Sequence, residues 1–564
     1  MKNITKNILS AVLICFIVSG CNQTDLDLTV SPNDLAADQS DPNLLLNSMQ
    51  IAYAANQEAL SGLGGELTRL EYFFGRDYFN SLPGSTLDFI WRRTYSSAPT
   101  FNIGDSGTNG ASVGIQTNLQ ALEQINADTD LNLGFHIGVG KTLYAHSLFQ
   151  LADYVGEAAF SQAGNPDFPA PLLDDGESIY AAAFTLLSEA EALLAENPPT
   201  SGAQDFFYGG NSAQWIKLIN TIRLRSYVLT GDKASFDAII AGDNYISSSA
   251  DDFQLQFGTS ALQPDNRHPD YQDDYKDDGA EIYQSNWLMN LMLMTGDPRI
   301  KYYFYRQSSS VPGATELDGT TNDPNEETLA CSLVVPPPHY DGYVFCAVAN
   351  GYWGRSHGND EGTPPDGFQR TASGVYPAAG KFDDNSFGVV GLGVGGGGAG
   401  IEPIILSSYV DFWQGIMAGS AGEKSGFLRS GLMKSIEKVQ SFGALDGAAD
   451  LSTAPSADDV TEYIDGIVTA FDAASGDDQE NIFAEQYFVT LFGGSTEAYN
   501  YYRLTGYPTT VAPNWEPDPG PFPRSYLTPQ TEVINNPNIS QKADLTTQVF
   551  WDTNPPSPAF PPAN

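Results

Sequence analysis

Apolar residues recur every three or four positions in three segments of this chain, and this spacing places them on one face of a helix. The segments are residues 135–154, 179–193 and 215–229. The apolar positions are Ile137, Gly140, Tyr144, Leu148 and Leu151, then Ile179, Ala183, Leu186, Ala190 and Leu193, then Trp215, Leu218, Ile219, Ile222 and Leu229. Asn211 and Ser212 precede the third segment, and either can cap a helix N-terminus. We predict three helices whose apolar faces belong to the core.

The three segments lie roughly 30 to 40 residues apart, a spacing typical of helix-pair repeats of the tetratricopeptide kind. Helical periodicity returns at residues 404–420, 425–440, 457–473 and 478–492, and strand-like alternation is scarce. We therefore predict a mainly α fold. Its tetratricopeptide-like helix-pair scaffold covers residues 43–300 and 401–510 approximately.

Helical periodicity disappears between about residues 300 and 400, where Pro, Gly, Asn and Asp dominate. A long irregular stretch in a folded protein is more often functional than idle. We predict that this large loop-rich region binds the ligand. Residues 511–564 are rich in proline and predict an extended C-terminal strap.

The N-terminus has the order of features that defines a secretory signal peptide. Lys2 and Lys6 precede an apolar run at residues 8–18, and small residues then precede Cys21. This order predicts a lipoprotein signal at 1–20, lipidation of Cys21, a polar tether at 21–42 and a folded domain at 43–564. A plain cleaved signal followed by an incidental cysteine is the alternative.

Acidic residues outnumber basic ones by 69 to 26, which gives a formal net charge of −43 over 564 residues. A negative field of this size repels nucleic acid and anionic lipid. We therefore predict no nucleic-acid partner, and we expect membrane association through the lipid anchor only.

Two cysteines remain in the folded domain, Cys331 and Cys346, and they bracket a proline-rich stretch. An exported protein lies in an oxidising compartment. We predict a disulfide between them, with two free buried thiols as the alternative.

The sequence carries no convincing dinucleotide-binding or zinc-binding motif. The glycine run at 391–400 lacks the strand and helix that a dinucleotide site requires, and the five histidines have no zinc-ligand spacing. The acidic cluster at 265–281 offers oxygen ligands for calcium, but its spacing matches no calcium loop. We predict no catalytic residue, no metal and no cofactor, with calcium left open.

Two irregular segments combine aromatic rings with polar side chains, as carbohydrate sites do, because sugar rings stack on aromatic planes and their hydroxyls need polar partners. Residues 67–81 contain Tyr72, Phe74, Arg76 and Tyr78, and residues 351–370 contain Trp353, Arg355, His357, Asn359 and Asp360. We predict that these nine residues bind the ligand. Aromatic rings that only pack the loops onto the scaffold are the alternative.

Several fragments occur in an order that resembles the SusD/RagB-like proteins of Bacteroidota. They are NSAQWIKLINTIRLRSYVLTGD at 211–232, GDPR at 296–299, YWGRSHGNDEGTPPDG at 352–367, GVYPAAGKFD at 374–383, EAYNYYRLTGYP at 497–508, FPRSYLTPQTEVINNPN at 522–538 and VFWD at 549–552. One departure is visible, since Gln414 and Gly415 stand where such proteins usually carry an acidic helix position.

The resemblance implies a lipid-anchored outer-membrane protein that faces the cell exterior. It also implies that the protein captures oligo- or polysaccharide and passes it to a SusC-like TonB-dependent transporter without chemistry. A peptide-binding importer subunit of the same fold and a lipid-anchored glycoside hydrolase are the alternatives.

Overall fold

The computed structural model describes residues 40–99, 111–199, 202–262, 264–310, 335–361 and 366–562. The predicted signal peptide, Cys21 and nearly all of the tether therefore lie outside the described residues. Residues Pro42–Asn564 form one compact unit, which contains all the helices and strands given below.

Helices dominate the described residues. They are α1 (Pro42–Thr68), α2 (Tyr78–Ser81), α3 (Asp88–Tyr95), α4 (Ile115–Asp128), α5 (Gly134–Tyr154), α6 (Gly176–Glu196), α7 (Ser212–Thr230), α8 (Lys233–Gly242), α9 (Pro269–Asp274), α10 (Asn286–Thr295), α11 (Ile300–Tyr303), α12 (Ser407–Ile416), α13 (Ala421–Gln440), α14 (Ala457–Ala473), α15 (Asp477–Thr490), α16 (Thr496–Thr505) and α17 (Gln530–Asn535). The prediction of a mainly α, tetratricopeptide-like fold is confirmed.

The strands are short and pair two by two. They are β1 (Ser97–Pro99), β2 (Ala111–Val113), β3 (Glu157–Ala158), β4 (Asp174–Asp175), β5 (Phe253–Gln256), β6 (Phe304–Tyr305), β7 (Ala372–Ser373) and β8 (Ile401–Ile405). The antiparallel pairs are β1 with β2, β3 with β4, β5 with β8 and β6 with β7.

The three predicted apolar stripes lie on α5, α6 and α7, and they do face the core. Ile137, Ile179 and Trp215 are all buried. Asn211 caps α7, because its side chain accepts hydrogen bonds from the backbone N–H groups of Ala213 and Gln214. Gly231 ends the same helix with φ of 68°, a conformation that glycine adopts at low cost.

Helix α6 is long and apolar enough, by length and composition, to cross a membrane, and it is the one such helix in the described residues. In the structure it packs along α5 and against α7, with Ile179, Ala183 and Leu187 buried. One face of this helix is therefore buried in the scaffold.

Loops and turns make up most of the described chain between Tyr305 and Ile401. The β6–β7 pair joins the start of this region to its middle. Arg306 strengthens that link, since its Nε lies 2.6 Å from Asp383 Oδ2 and its Nη1 donates to the carbonyl oxygen of Asn350. Buried polar contacts therefore tie separate parts of the loop-rich region to one another.

The C-terminal segment after residue 510 crosses back over the early helices. Tyr526 N–H donates to the carbonyl oxygen of Tyr154, at the end of α5, over 2.7 Å. Arg524 and Asp552 form a fully buried ion pair within the segment, with 2.7 Å between Arg524 Nε and Asp552 Oδ2. The first contact ties the segment to the scaffold, and the second joins two parts of the segment to each other.

Candidate functional site: a cavity beside the loop-rich region

A cavity of about 720 Å³ lies where the scaffold meets the loop-rich region. Residues 66–74 line it from the end of α1, and residues 270–284 line it from α9 and the loop that follows. Further lining comes from residues between 355 and 377, and from Phe492 and Gly493. A cavity of this size accommodates a small ligand or part of a longer chain.

The chain turns sharply at the end of α1, and this turn brings residues 71–74 to the cavity. Arg69 has φ of 65°, which ends the helix. Its buried guanidinium donates to the carbonyl oxygens of Leu67, over 2.6 Å, and Ala512, over 2.9 Å. The turn is therefore fixed by hydrogen bonds on both sides.

Exposed aromatic rings stand at the cavity. Phe74 is 58% exposed and Phe368 is 43% exposed, although large apolar side chains are normally buried. Tyr72 is half-buried beside them, and its ring lies 6.5 Å from that of Phe74 in an edge-to-face arrangement. The cavity therefore offers aromatic surface to a ligand.

Tyr283 is clamped between two arginines at the same cavity. Its ring centre lies 4.4 Å from the guanidinium carbon of Arg355 and 3.8 Å from that of Arg370. The Tyr283 hydroxyl donates to Asp366 over 2.8 Å, and Arg370 Nε lies 3.0 Å from the same carboxylate. Burial raises the pKa of Tyr283, and so does Asp366, so the phenol stays protonated and can donate this bond.

Three of the predicted ligand-binding residues line this cavity, namely Tyr72, Phe74 and Arg355. Arg355 is held in place from two sides. It lies 3.3 Å from the Tyr72 hydroxyl and 3.0 Å from the carbonyl oxygen of Glu361. Tyr72 in turn donates to the carbonyl oxygen of Asn359. The two predicted segments, 67–81 and 351–370, are thus brought together.

The structure corrects the expectation for Trp353, whose indole was predicted to stack on a ligand. The side chain is fully buried, and its N–H donates to the carbonyl oxygen of Ser310 over 2.7 Å. It packs against Tyr283 and Cys346, with Tyr72 at the edge of the cluster. Trp353 therefore supports residues that line the cavity and offers no face of its own.

Tyr78 and His357 need the same correction, because both are buried. The Tyr78 hydroxyl lies 3.1 Å from His357 Nε2, and the imidazole stacks on Phe73 at 5.1 Å. Burial lowers the pKa of His357 well below its usual value, and the nearby Arg69 adds to this, so the ring is neutral. Both side chains belong to the core.

Arg76, Asn359 and Asp360 are not among the lining residues. Arg76 Nε lies 2.8 Å from both carboxylate oxygens of Asp360, in an exposed pair at the surface. Asn359 is buried, and its Oδ1 accepts from Glu361 N–H over 3.2 Å. These three residues shape the loop beside the cavity.

Cys346 is disulfide-bonded, whereas Cys331, its predicted partner, lies outside the described residues. Within the described ranges, no group of three or more His, Cys, Asp or Glu side chains is placed to hold a metal ion. The same holds for residues 265–281, where calcium was left open, since all of them are among the described residues.

Sequence reasoning missed Phe368, Tyr283 and Arg370. Phe368 and Arg370 lie inside the segment 351–370, whose composition was the available signal. Tyr283 follows the acidic cluster at 265–281 and carried no signal of its own. Its role depends on contacts with residues 72 and 87 positions further along the chain, Arg355 and Arg370.

Comparison with known proteins agrees with this architecture. Residues 81–331 match the model of a SusD-like family described as starch-binding and associating with the outer membrane. The predicted resemblance to SusD/RagB-like proteins is confirmed. The description of the matching family names a binding role, which agrees with the prediction that the chain is not an enzyme.

Solved structures of SusD-like proteins share the fold over almost the whole chain. A SusD/RagB family protein from Bacteroides thetaiotaomicron has a TM-score of 0.62 at 16% identity, covering 93% of this chain and all of that one. A SusD homolog from Bacteroides uniformis has a TM-score of 0.58 at 16% identity, covering 92% of this chain and 100% of that one. A chitin-binding SusD homolog from Flavobacterium johnsoniae has a TM-score of 0.56 at 15% identity, covering 91% of this chain and 100% of that one. The comparison with curated proteins gave no match.

Proposed function

We propose that this protein is a glycan-binding lipoprotein of the outer membrane, and that oligo- or polysaccharide binds in the cavity lined by Phe74 and Phe368. The observation that carries the proposal is the exposure of these two rings beside arginine and carboxylate side chains. Sugar rings present apolar C–H faces to aromatic planes and hydroxyls to charged and amide groups. The starch-binding description of the matching family and the chitin-binding name of one relative support a carbohydrate ligand.

The aromatic rings of the cavity provide the test. We expect Phe74→Ala and Phe368→Ala each to weaken glycan binding by about 1–2 kcal/mol, because each removes an exposed stacking surface. Binding is measured by isothermal titration calorimetry against a panel of neutral polysaccharides and mixed oligopeptides. Phe79→Ala is the matched control, since Phe79 is 54% exposed and does not line the cavity.

The panel separates glycan binding from its alternatives. Unchanged binding of a glycan by the Phe74→Ala/Phe368→Ala protein would place the site elsewhere. Binding of peptides alone would favour the peptide importer, and hydrolysis of a polysaccharide would favour the glycoside hydrolase.

The remaining parts of the proposal concern location and delivery. We propose that Cys21 carries the lipid, that the protein faces the cell exterior, and that it passes captured glycan to a SusC-like TonB-dependent transporter. The order of charge, apolar run and small residues before Cys21 supports the anchor. The outer-membrane association named for the matching family supports the location.

We expect Cys21→Ala to abolish incorporation of radioactive palmitate and to move the protein into the soluble fraction. Cys15→Ala is the control, because Cys15 lies inside the predicted signal peptide and should not affect labelling of the mature chain. Labelling that persists in Cys21→Ala would contradict the assignment.

A further inference from the structure

Three carboxyl side chains from distant parts of the chain line the cavity, and two more lie near them. Glu58 and Glu66 lie on α1, Glu71 follows that helix, Asp270 lies in the first turn of α9 and Glu402 lies on β8. Glu66, Glu71 and Asp270 line the cavity. Glu71 interacts electrostatically with Glu58, Glu66 and Asp270, and Glu402 does so with Glu58, Glu71 and Asp270. The five groups therefore form one cluster of like charges.

The local sequence explains how α1 contributes to this cluster. Glu58, Gly62 and Glu66 are four residues apart, so they lie on one face of the helix. The glycines on this part of α1 leave room for the Glu71 side chain. A Cβ atom on Gly65 would lie only 2.7 Å from Glu71 Oε1. Glu71 is thus packed directly over the helix that carries the other two carboxyls.

Glu402 has a buried carboxyl oxygen without a hydrogen-bond partner, an observation that is independent of the other four carboxyl groups. It is only 3% exposed, and its Oε1 has no hydrogen-bond partner. A buried polar atom without a partner costs about 1–3 kcal/mol, and more when it is charged. Proteins seldom keep such a group unless something else satisfies it.

Protein cations do not neutralise the cluster in the part of the chain that the structure describes. Lys276 pairs with Asp273 and Glu281 instead. Arg370 pairs with Asp366, and Arg355 stacks on Tyr283 and donates to Glu361. Arg93 acts electrostatically on Glu58. None of the five carboxylates forms an ion pair with lysine or arginine within the described ranges.

Burial and mutual repulsion both disfavour the ionised carboxylates. Burial raises the pKa of Glu58, Glu66 and Asp270 to about 7, and neighbouring carboxylates add to the shift, Asp270 and Asp273 for Glu58 and Asp273 for Asp270. The pKa values of Glu71 and Glu402 are raised well above the usual value for the same two reasons. A cation placed among them would relieve the repulsion.

We propose that this cluster binds the ammonium group of an amine-bearing glycan, an amino sugar whose nitrogen carries no acyl group. This inference rests on the proposed glycan-binding function. An ammonium group brings three N–H donors as well as its charge, and the cavity has room for the sugar ring that carries it. A bare metal ion fits less well, because the described carboxylates do not converge as metal ligands.

The test compares two oligosaccharides that share ring and linkage, β-1,4-linked oligomers of glucosamine and of N-acetylglucosamine. We expect calorimetric titration of the full chain at neutral pH to show about tenfold tighter binding of the free-amine oligomer, because only this form can be protonated to an ammonium group. Equal binding of both forms, or tighter binding of the acetylated form, would overturn the inference. Binding of the acetylated oligomer alone would refute this inference but not the proposed glycan-binding function. Binding of no glycan in the panel would refute both the inference and the proposed function.

Neutralising two carboxylates of the cluster should remove the preference for the free-amine oligomer and leave the protein folded. We expect Glu71→Gln/Asp270→Asn to bind the two oligomers equally and to melt no lower than the unaltered protein, since the change relieves repulsion. Glu437→Gln on α13 is the matched control, because this exposed carboxylate lies outside the cavity lining. A preference that persists in the double variant would also overturn the inference, and the comparison of ligands on the unaltered protein stands even if the variant fails to fold.

Discussion

Replacing Arg225 by methionine is expected to lower the free energy of unfolding by about 3–5 kcal/mol. Arg225 lies on α7, is 1% exposed, and binds two buried carboxylates, Asp153 of α5 and Glu497 of α16. Its Nε lies 2.8 Å from Glu497 Oε1. Removing the guanidinium leaves both acids buried with no cation between them, so the loss is large.

Chemical denaturation followed by circular dichroism measures this loss. Arg429→Met is the matched control, because Arg429 pairs with Asp465 on the surface, with 42% and 55% of the two side chains exposed. An exposed pair contributes at most about 1 kcal/mol. Equal losses in the two variants would contradict the structural role assigned to Arg225.

The helices of the scaffold could be predicted because amphipathic periodicity is a local signal. Trp215 and Ile179 face the core, and Asn211 caps α7, as their immediate neighbours indicate. The Arg225 network could not be predicted in this way. Glu497 lies 272 residues beyond Arg225, and nothing in either local segment specifies the other.

The candidate site was predictable only in part, because the composition of a segment is a local signal and the packing of its side chains is not. The two aromatic segments do meet, and Phe74 is exposed at the cavity. Composition alone does not tell whether an aromatic ring in a loop faces solvent or packs inward. Tyr78 and Phe74 lie four residues apart, yet one is buried against His357 and the other is 58% exposed. The carboxyl groups at and near the cavity come from α1, the turn after it, α9 and β8, and only Asp270 lies in the acidic segment at 265–281 that the sequence analysis noted.

Trp353→Ala is expected to lower the free energy of unfolding by about 3–5 kcal/mol, because it removes a large, fully buried side chain. The change opens a void behind Tyr283 and leaves the carbonyl oxygen of Ser310 without its indole donor. Thermal melting and chemical denaturation measure the loss. We expect the variant, kept well below its melting temperature, to lose less glycan affinity than Phe74→Ala/Phe368→Ala, because Trp353 has no exposed face.

Trp353→Phe separates packing from hydrogen bonding at this position. The phenyl ring keeps most of the apolar contacts with Tyr283 and Cys346 but cannot donate to Ser310. We expect an intermediate loss of about 1–3 kcal/mol, the cost of a buried carbonyl left without its partner. If Trp353→Ala instead melted like the unaltered protein and lost all glycan binding, the indole would have to contact the ligand directly.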